Sequence, residues 1–184
     1  MPRSDNARTP GSGPLAGLEL CLLGAPCLVL GERRIGLSAK DAALLCLAAL
    51  AGPIRADRAA SLLWPAVSAN QADTSLRQRL YRLRRETGAP LLTGGPLLQL
   101  SAGLQTDLAP SLARIGLDEH ATLDELLGDF DYDELPDLAE WVRGQRHHWR
   151  EQRDAALAAA AAQCEKEGAV VRGLVYAQRL VDAN

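Results

Sequence analysis

With 184 residues, 47% of them apolar but only 4% aromatic, the chain can form one large or two small domains built mainly from Leu and Ala, which favours helices. No apolar run approaches the roughly 18 residues of a membrane span, so the sequence predicts no transmembrane helix. The four cysteines form no CxxC pair and have no neighbouring His, so neither a zinc site nor a disulfide framework is suggested. The formal net charge of −3 is unevenly distributed along the chain. Residues 1–110 contain 12 basic and 8 acidic residues, whereas residues 111–184 contain 8 basic and 15 acidic residues. Only the first part is therefore suited to binding a polyanion.

The N-terminal part of the ordered chain is predicted to be a small antiparallel sheet. Residues 1–14 are rich in Pro, Gly and Ser and have too little apolar content to offset the cost of ordering, so we expect a flexible tail there. Every second residue in 18–22 is leucine, which is the period of a strand. Residues 27–30 and 33–37 are predicted as two further short strands.

Two helices are predicted next. The Ala- and Leu-rich run 39–50 follows Ser38, whose hydroxyl makes it a good N-cap. The second helix should start near residues 55–57 and reach Trp64, where Pro65 stops it. We expect Trp64 to be structural, closing the second helix against its neighbours.

A third helix is predicted from about residue 69 to 87, capped by Ser68 or Asn70, with Leu76, Leu80 and Leu83 as its apolar stripe. Beyond it, residues 91–93 and 97–100 are predicted as two strands joined by a glycine turn. Three strands, three helices and a hairpin are the order of a winged helix-turn-helix, here in residues 15–110.

Residues 111–184 have a different character, with acidic helices and few strand-forming residues. We predict a short helix over 123–127, an acidic loop over 129–137, a long helix over 138–166 and a last helix over 170–181. Two antiparallel helices of this kind are the unit of a TPR-like helical repeat. The predicted fold class is therefore mainly α with small β-sheets, a winged helix-turn-helix followed by a partial helical repeat.

The third helix carries five of the 20 basic residues of the chain. When its leucines face inward, the helical period places Gln71, Thr74, Gln78, Tyr81, Arg82 and Arg85 on the opposite face, with Arg77 and Arg84 along one flank. An α-helix fits the major groove of DNA, where Gln, Thr and Arg can bond base edges while peripheral Arg and Tyr bind phosphates. Any helix rich in Arg can also be a plain solvated face, so the order of the surrounding elements decides the interpretation.

Several motifs resemble the SARP-type activators, the antibiotic regulatory protein family. LLWP at 62–65 and ADTSLRQRLYRLR at 72–84 resemble that family's winged-helix domain, and LCLLGAP at 20–26 and AKDAALL at 39–45 are similar to its opening strands and first helix. Downstream, GDF at 128–130, LP at 135–136, EWV at 140–142 and QR at 145–146 resemble the start of its bacterial transcriptional activator domain. The match spans nearly everything after the tail.

The resemblance implies a cytoplasmic transcription activator that binds double-stranded promoter DNA, often at direct repeats, and makes contacts that recruit RNA polymerase. No phosphate-loop spacing, metal-ligand set or catalytic triad can be singled out, so we expect no enzyme activity, no cofactor, no metal and no membrane partner. The residues expected to bind DNA are Gln71, Thr74, Arg77, Gln78, Tyr81, Arg82, Arg84 and Arg85.

Two departures from the family pattern support a different hypothesis. Asp73 stands where the family often has a basic residue, and residues 91–107 contain no Lys or Arg. Binding to DNA should then be weak or need a homodimer. The alternative function is a protein-interaction adaptor whose winged helix no longer binds DNA and whose acidic helices hold partners.

Two further expectations concern the acidic half. Acidic residues in 129–140 have the spacing of a calcium loop, but Glu134 stands where the sharp turn requires Gly, so we predict a solvated loop. The helix over 170–181 should keep apolar surface at Val171, Leu174, Val175 and Leu180 that a following repeat normally covers. We therefore expect the chain to be a fragment of a longer regulator.

Overall fold

The computed structural model describes residues 17–183, and within them the chain is mainly helical with small sheets, as predicted. The predicted tail, residues 1–14, lies outside the described residues. The strands are β1 (Leu18–Cys21), β2 (Cys27–Leu30), β3 (Arg33–Gly36), β4 (Ile54–Arg55), β5 (Leu92–Thr93), β6 (Leu97–Leu100) and β7 (Gln105–Thr106). The helices are α1 (Ala39–Leu50), α2 (Ala56–Leu63), α3 (Ala69–Thr87), α4 (Leu108–Leu117), α5 (Pro136–Lys166) and α6 (Val170–Asp182).

The strands form two small sheets. The first has the order β3-β2-β1-β7, with antiparallel pairing except between β1 and β7, which run parallel. The second has the order β4-β6-β5, in which β5 and β6 form the predicted hairpin. Sequence analysis did not predict β4 and β7, because two residues are too few to show the alternation of a strand.

Local capping explains where the first and third helices begin. Ser38 accepts a hydrogen bond from the backbone N–H of Asp41 at the start of α1. Ser68, rather than Asn70, caps α3 and forms a capping box with Gln71. Gly88 ends α3 in the left-handed conformation, with φ of 75°, which a residue without a Cβ adopts at little cost.

A large core holds most of the chain together. It combines β1, β2, the three helices α1 to α3 and the hairpin with Leu138, Val142 and Trp149 from the first half of α5. A second, smaller cluster around Ile115, Leu157 and Tyr176 joins α4, α5 and α6. Since α5 has 31 residues and is therefore about 46 Å long, one rigid helix contributes to both clusters.

The predicted helix over 123–127 is wrong. Leu126 instead forms a bridge with Leu23, and the N–H of Leu127 donates to the carbonyl of Leu22 at 2.7 Å. These long-range bonds and the burial of both leucines outweigh a local helical preference. The structure also contains α4, which was not predicted because Pro110 suggested a break, but a proline in the first turn of a helix removes no helical hydrogen bond.

The segment between α4 and α5 is held by side chains of α5. Arg146 donates to the carbonyls of Leu126, Gly128 and Phe130 at 2.8–2.9 Å, and Trp149 donates from Nε1 to the carbonyl of Asp124 at 3.0 Å. At its far end, the hydroxyl of Tyr132 donates to the carbonyl of Ala39 at 2.9 Å. The acidic part of the chain is thereby fixed to the start of α1.

The apolar surface predicted on the last helix is present in part. Val171 and Leu174 are 77% and 65% exposed, whereas Val175 is half-buried and Leu180 packs against the smaller cluster. Within residues 17–183, no helix combines the length and the apolar character needed to cross a membrane.

The turn at Gly128 provides a test of this architecture. Gly128 has φ of 49°, and a Cβ placed there would overlap the carbonyl oxygen of Gly24. We expect Gly128→Ala to lower the free energy of unfolding by at least about 2 kcal/mol, because the left-handed backbone and the backbone overlap are both unfavourable. Urea titration followed by circular dichroism would measure this.

Gly144→Ala is the matched control, since Gly144 lies inside α5 with open space around its Cβ position. It should raise the free energy of unfolding by about 0.5–1 kcal/mol, because alanine favours the helix. Equal effects of the two substitutions would contradict the close packing of Gly128 on Gly24.

Candidate nucleic-acid interface

The helix α3 separates a buried stripe from a polar outer face. Its residues Ala72, Leu76 and Leu83 are buried and Leu80 is half-buried, and the helix packs against α2. The apolar spacing of three and four residues produces this stripe, as predicted. The side chains on the remaining faces are therefore available to a partner.

A partly buried ion pair fixes α3 to the start of α1. Nη1 of Arg79 lies 2.7 Å from Oδ1 of Asp41, and the two side chains are only 19% and 9% exposed. The same Nη1 is directed at the hydroxyl of Ser38, 2.8 Å away, so its attraction to Asp41 Oδ1 is an ion pair without a well-directed hydrogen bond. Ser38 in turn donates to Oδ2 of Asp41 at 2.5 Å.

Trp64 lies beside this ion pair. It is half-buried at the end of α2 and packs against the large core. Nζ of Lys40 and Cζ of Arg79 lie 5.4 and 5.9 Å from the centroid of its ring, which is the range of cation–π attraction. Trp64 therefore connects α1, α2 and α3, which agrees with the structural role expected for it.

The residues predicted to bind DNA are brought together on the outer face of α3. All eight are exposed, and Tyr81 has 68% of its surface open; they are Gln71, Thr74, Arg77, Gln78, Tyr81, Arg82, Arg84 and Arg85. Two of them also bond to their own helix. The hydroxyl of Thr74 donates to the carbonyl of Asn70 at 2.9 Å, and Oε1 of Gln71 accepts from Ser68.

The arginines of this face differ in their partners. Arg77 forms an ion pair with Asp73 at 2.7 Å, one helical turn earlier. Arg82 is half-exposed and lies 3.9 Å from Asp41. Among residues 17–183, no carboxylate lies within 4.0 Å of Arg84 or Arg85. Arg84 and Arg85, at the C-terminal end of α3, are therefore the arginines of this face that no carboxylate of the described residues neutralises.

A groove of about 560 Å³ separates α3 from the β5–β6 hairpin. Its lining includes Arg77 and Asp73 of α3, Arg55 and Asp57 from the β4–α2 junction, and Pro96 of the hairpin turn. Arg55 forms an ion pair with Asp57 at 2.6 Å and holds the pKa of that carboxyl below its usual range, and both side chains are largely exposed. Two arginines thus line the groove, each beside a carboxylate.

Arg55 was missed by sequence analysis. The hairpin has no Lys or Arg of its own, but β4 pairs Arg55 directly with Leu97 of the hairpin. This pairing places a basic side chain at the end of the hairpin that sequence analysis had considered uncharged. In the sequence Arg55 was visible only as one basic residue at the start of the predicted second helix, and a single charge there does not indicate a contact with the hairpin.

The acidic segment before α5 contains a hydrogen bond between two of its own residues. Oδ1 of Asp131 accepts from the N–H of Asp133 at 2.8 Å, in the manner of a turn. No group of three or more His, Cys, Asp or Glu within residues 17–183 is placed to hold a metal ion.

Comparison of the chain with models of known protein families and with characterised proteins finds no match. The interpretation of the α3 surface therefore depends on its geometry and charge, and on the motif resemblance described above.

Removal of the Arg79 guanidinium should destabilise the fold. Arg79→Gln leaves the carboxylate of Asp41 buried without its counter-ion, so we expect the free energy of unfolding to fall by about 2 kcal/mol. Arg85→Gln, an exposed change on the same helix, should alter it by less than about 0.5 kcal/mol. Chemical denaturation would measure both variants, and similar values for the two would show that the Arg79 ion pair does not fix α3.

Proposed function

We propose that the chain is a SARP-type transcription activator that binds double-stranded DNA through a winged helix-turn-helix. In this proposal α2 and α3 are the helix-turn-helix, α3 enters the major groove and the β5–β6 hairpin is the wing. The observation that carries it is the outer face of α3, where Gln, Thr, Tyr and Arg side chains are exposed together on a helix held in place by its buried leucine stripe and by Arg79. The motif resemblance supports the same function.

The positions along this face suggest which groups recognise bases and which bind phosphates. Thr74, Gln78 and Arg85 lie near the middle of the outward face, where an amide or a guanidinium can form hydrogen bonds with base edges. Arg77 and Arg84 lie on the flank nearer the wing, and Arg82 lies on the opposite flank towards α1. A duplex that straddles the helix would present its backbones to these flanks.

The groove beside the hairpin should contribute only modestly to the affinity for DNA. A DNA phosphate there would have to replace Asp73 as the partner of Arg77 and Asp57 as the partner of Arg55. Exposed ion pairs contribute only about 0–1 kcal/mol each, so the exchange is feasible but yields little net energy. A homodimer on direct repeats would compensate by adding the contacts of a second copy.

The acidic part of the chain has a different place in the proposal. We propose that α5 and α6 begin a TPR-like repeat that holds protein partners, with RNA polymerase the partner implied by the resemblance. Its negative charge is unsuited to DNA, and its contacts through Arg146 and Tyr132 keep it attached to the DNA-binding part. The resemblance also supports a cytoplasmic location.

A protein-interaction adaptor is the second candidate function. The observation that favours it is the pairing of Arg55 and Arg77 with carboxylates, which reduces the positive potential next to the hairpin. An adaptor of this kind would show no salt-sensitive binding to any duplex, whereas the activator would.

The first test is the salt dependence of DNA binding, measured by fluorescence anisotropy with a duplex selected from a randomised library. If the three flanking arginines of α3 neutralise phosphates, the logarithm of the association constant should fall with the logarithm of salt concentration with a slope of about −3. Arg84→Ala should reduce the slope by about 1. Arg143→Ala, an exposed change on α5, should leave it unchanged. Binding that ignores salt, or no binding at low salt, would favour the adaptor.

The second test concerns base recognition by Gln78. Gln78→Ala should reduce the discrimination against a wrong base at one position by about 1–3 kcal/mol, because it removes two groups able to bond an adenine. Arg84→Ala is the control and should weaken binding to all sequences alike. The measurement is a panel of single-base variants of the selected duplex. An unchanged base preference in Gln78→Ala would assign base recognition to other side chains.

A further inference from the structure

Two cysteines stand directly opposite each other in the first sheet. Cys21 is the last residue of β1 and Cys27 the first of β2, and the two are paired in the antiparallel register. Directly opposed residues project to the same face of a sheet. Of the four cysteines, which all carry free thiols, Cys21 is the only one that is not buried.

The backbone bonds define the type of this pair. The carbonyl of Leu20 accepts from Asp107 on the β7 side, and the N–H of Leu22 donates to the Asp107 carboxylate, so the backbone of Cys21 faces β2. The carbonyl of Pro26 accepts from Leu37 on the β3 side, so the backbone of Cys27 faces β1. The cysteines therefore form a hydrogen-bonded antiparallel pair, with Cα atoms about 5.5 Å apart.

This separation of Cα atoms falls within the range of disulfides, about 4.4–6.8 Å. The Cβ atoms of such a pair are about 5 Å apart, slightly more than the roughly 3.5–4.5 Å of a disulfide. The two strand ends would therefore have to approach each other slightly for the bond to form. A disulfide formed there would be strained and readily reduced, which is typical of regulatory rather than structural disulfides.

The surroundings of the two sulfurs also differ in a way that suits exchange. Nη2 of Arg34 donates to Sγ of Cys27 at 3.3 Å and places a positive charge beside that sulfur, the environment in which a thiolate can attack. Burial, together with the neighbouring Cys27 thiol, raises the pKa of Cys21 to about 12. Cys21 is the more accessible of the two.

We infer that Cys21 and Cys27 are a redox modification site that forms a reversible cross-strand disulfide by exchange with a low-molecular-weight disulfide. One of the two thiols gives up its proton and attacks one sulfur of the small disulfide, which leaves a mixed disulfide on that cysteine and releases one small thiol that takes up the proton. The sulfur of the other cysteine then attacks the protein sulfur of the mixed disulfide, a second small thiol leaves with the proton of that cysteine, and the cross-link is complete. Two protein thiols are oxidised and one small disulfide is reduced to two thiols.

The cross-link would tighten a part of the fold that contacts the acidic half. It closes the loop 22–26, in which the N–H of Gly24 donates to the carbonyl of Glu125 and the carbonyl of Leu22 accepts from Leu127. Oxidation should therefore alter the amide exchange of residues 124–128 as well as of the loop itself. This inference is independent of DNA binding.

The test uses the full chain incubated with oxidised glutathione and then alkylated with N-ethylmaleimide. Trypsin places both cysteines in the peptide 9–33, while Cys46 and Cys164 fall in other peptides and serve as internal controls. We expect peptide 9–33 to become two hydrogen atoms lighter and resistant to alkylation, and dithiothreitol to reverse both changes. Cys21→Ser should abolish the mass change.

Three outcomes would overturn the inference. They are retention of two alkylatable thiols in peptide 9–33, stable glutathione on either cysteine without the cross-link, and a cross-link that forms no more readily in the folded chain than in urea. The comparison in urea uses the wild-type chain, so it does not depend on whether the serine variant folds.

Discussion

The ion pair between Arg79 and Asp41 is the interaction on which the candidate interface depends. Asp41 is nearly inaccessible to water at the start of α1, and its carboxylate is held by Ser38 and by Arg79. Because Arg79 is a side chain of α3, its ion pair with Asp41 holds that helix in the orientation that the buried leucine stripe sets. Trp64 lies beside Arg79 and packs against the same core from the end of α2. The residues on the outer face of the five-arginine helix therefore have a fixed position before any partner binds.

The acidic half depends on the same region of the molecule. Tyr132 donates to the carbonyl of Ala39, the residue directly after Ser38, and Arg146 holds the segment before Tyr132. The first half of α5 buries Leu138 and Val142 in the same core as α1. The acidic half and α3 are therefore joined through one packed core rather than through an extended linker.

The elements that could be predicted from the sequence are those whose bounds depend on residues nearby in the chain. The elements that could not be predicted depend on contacts between residues far apart in the chain. The start of α1 and both ends of α3 could be recognised from the residue types of Ser38, Ser68 and Gly88. The leucine stripe of α3 indicated which of its faces is exposed. The periodicity of a sequence cannot show contacts between residues far apart in the chain. Two such contacts are the strand pairing that brings Arg55 to the hairpin and the bonds of Leu126 and Leu127 to the loop after β1. The sequence showed the arginines as charges but did not show which of them a carboxylate neutralises. An ion pair such as that of Arg55 with Asp57 depends on side-chain rotamers.

The most direct test of the central claim is a map of backbone amide shifts when the ¹⁵N-labelled chain is titrated with the selected duplex at low salt. If α3 and the hairpin bind DNA, the largest shifts should fall on residues 70–85 of α3 and on Gly94, Gly95 and Leu97 of the hairpin, with smaller ones at Arg55. The shifts should be lost when salt is raised, since the contacts are largely to phosphates. Shifts confined to residues 129–135 or to α6, or no shifts at any salt concentration, would contradict it.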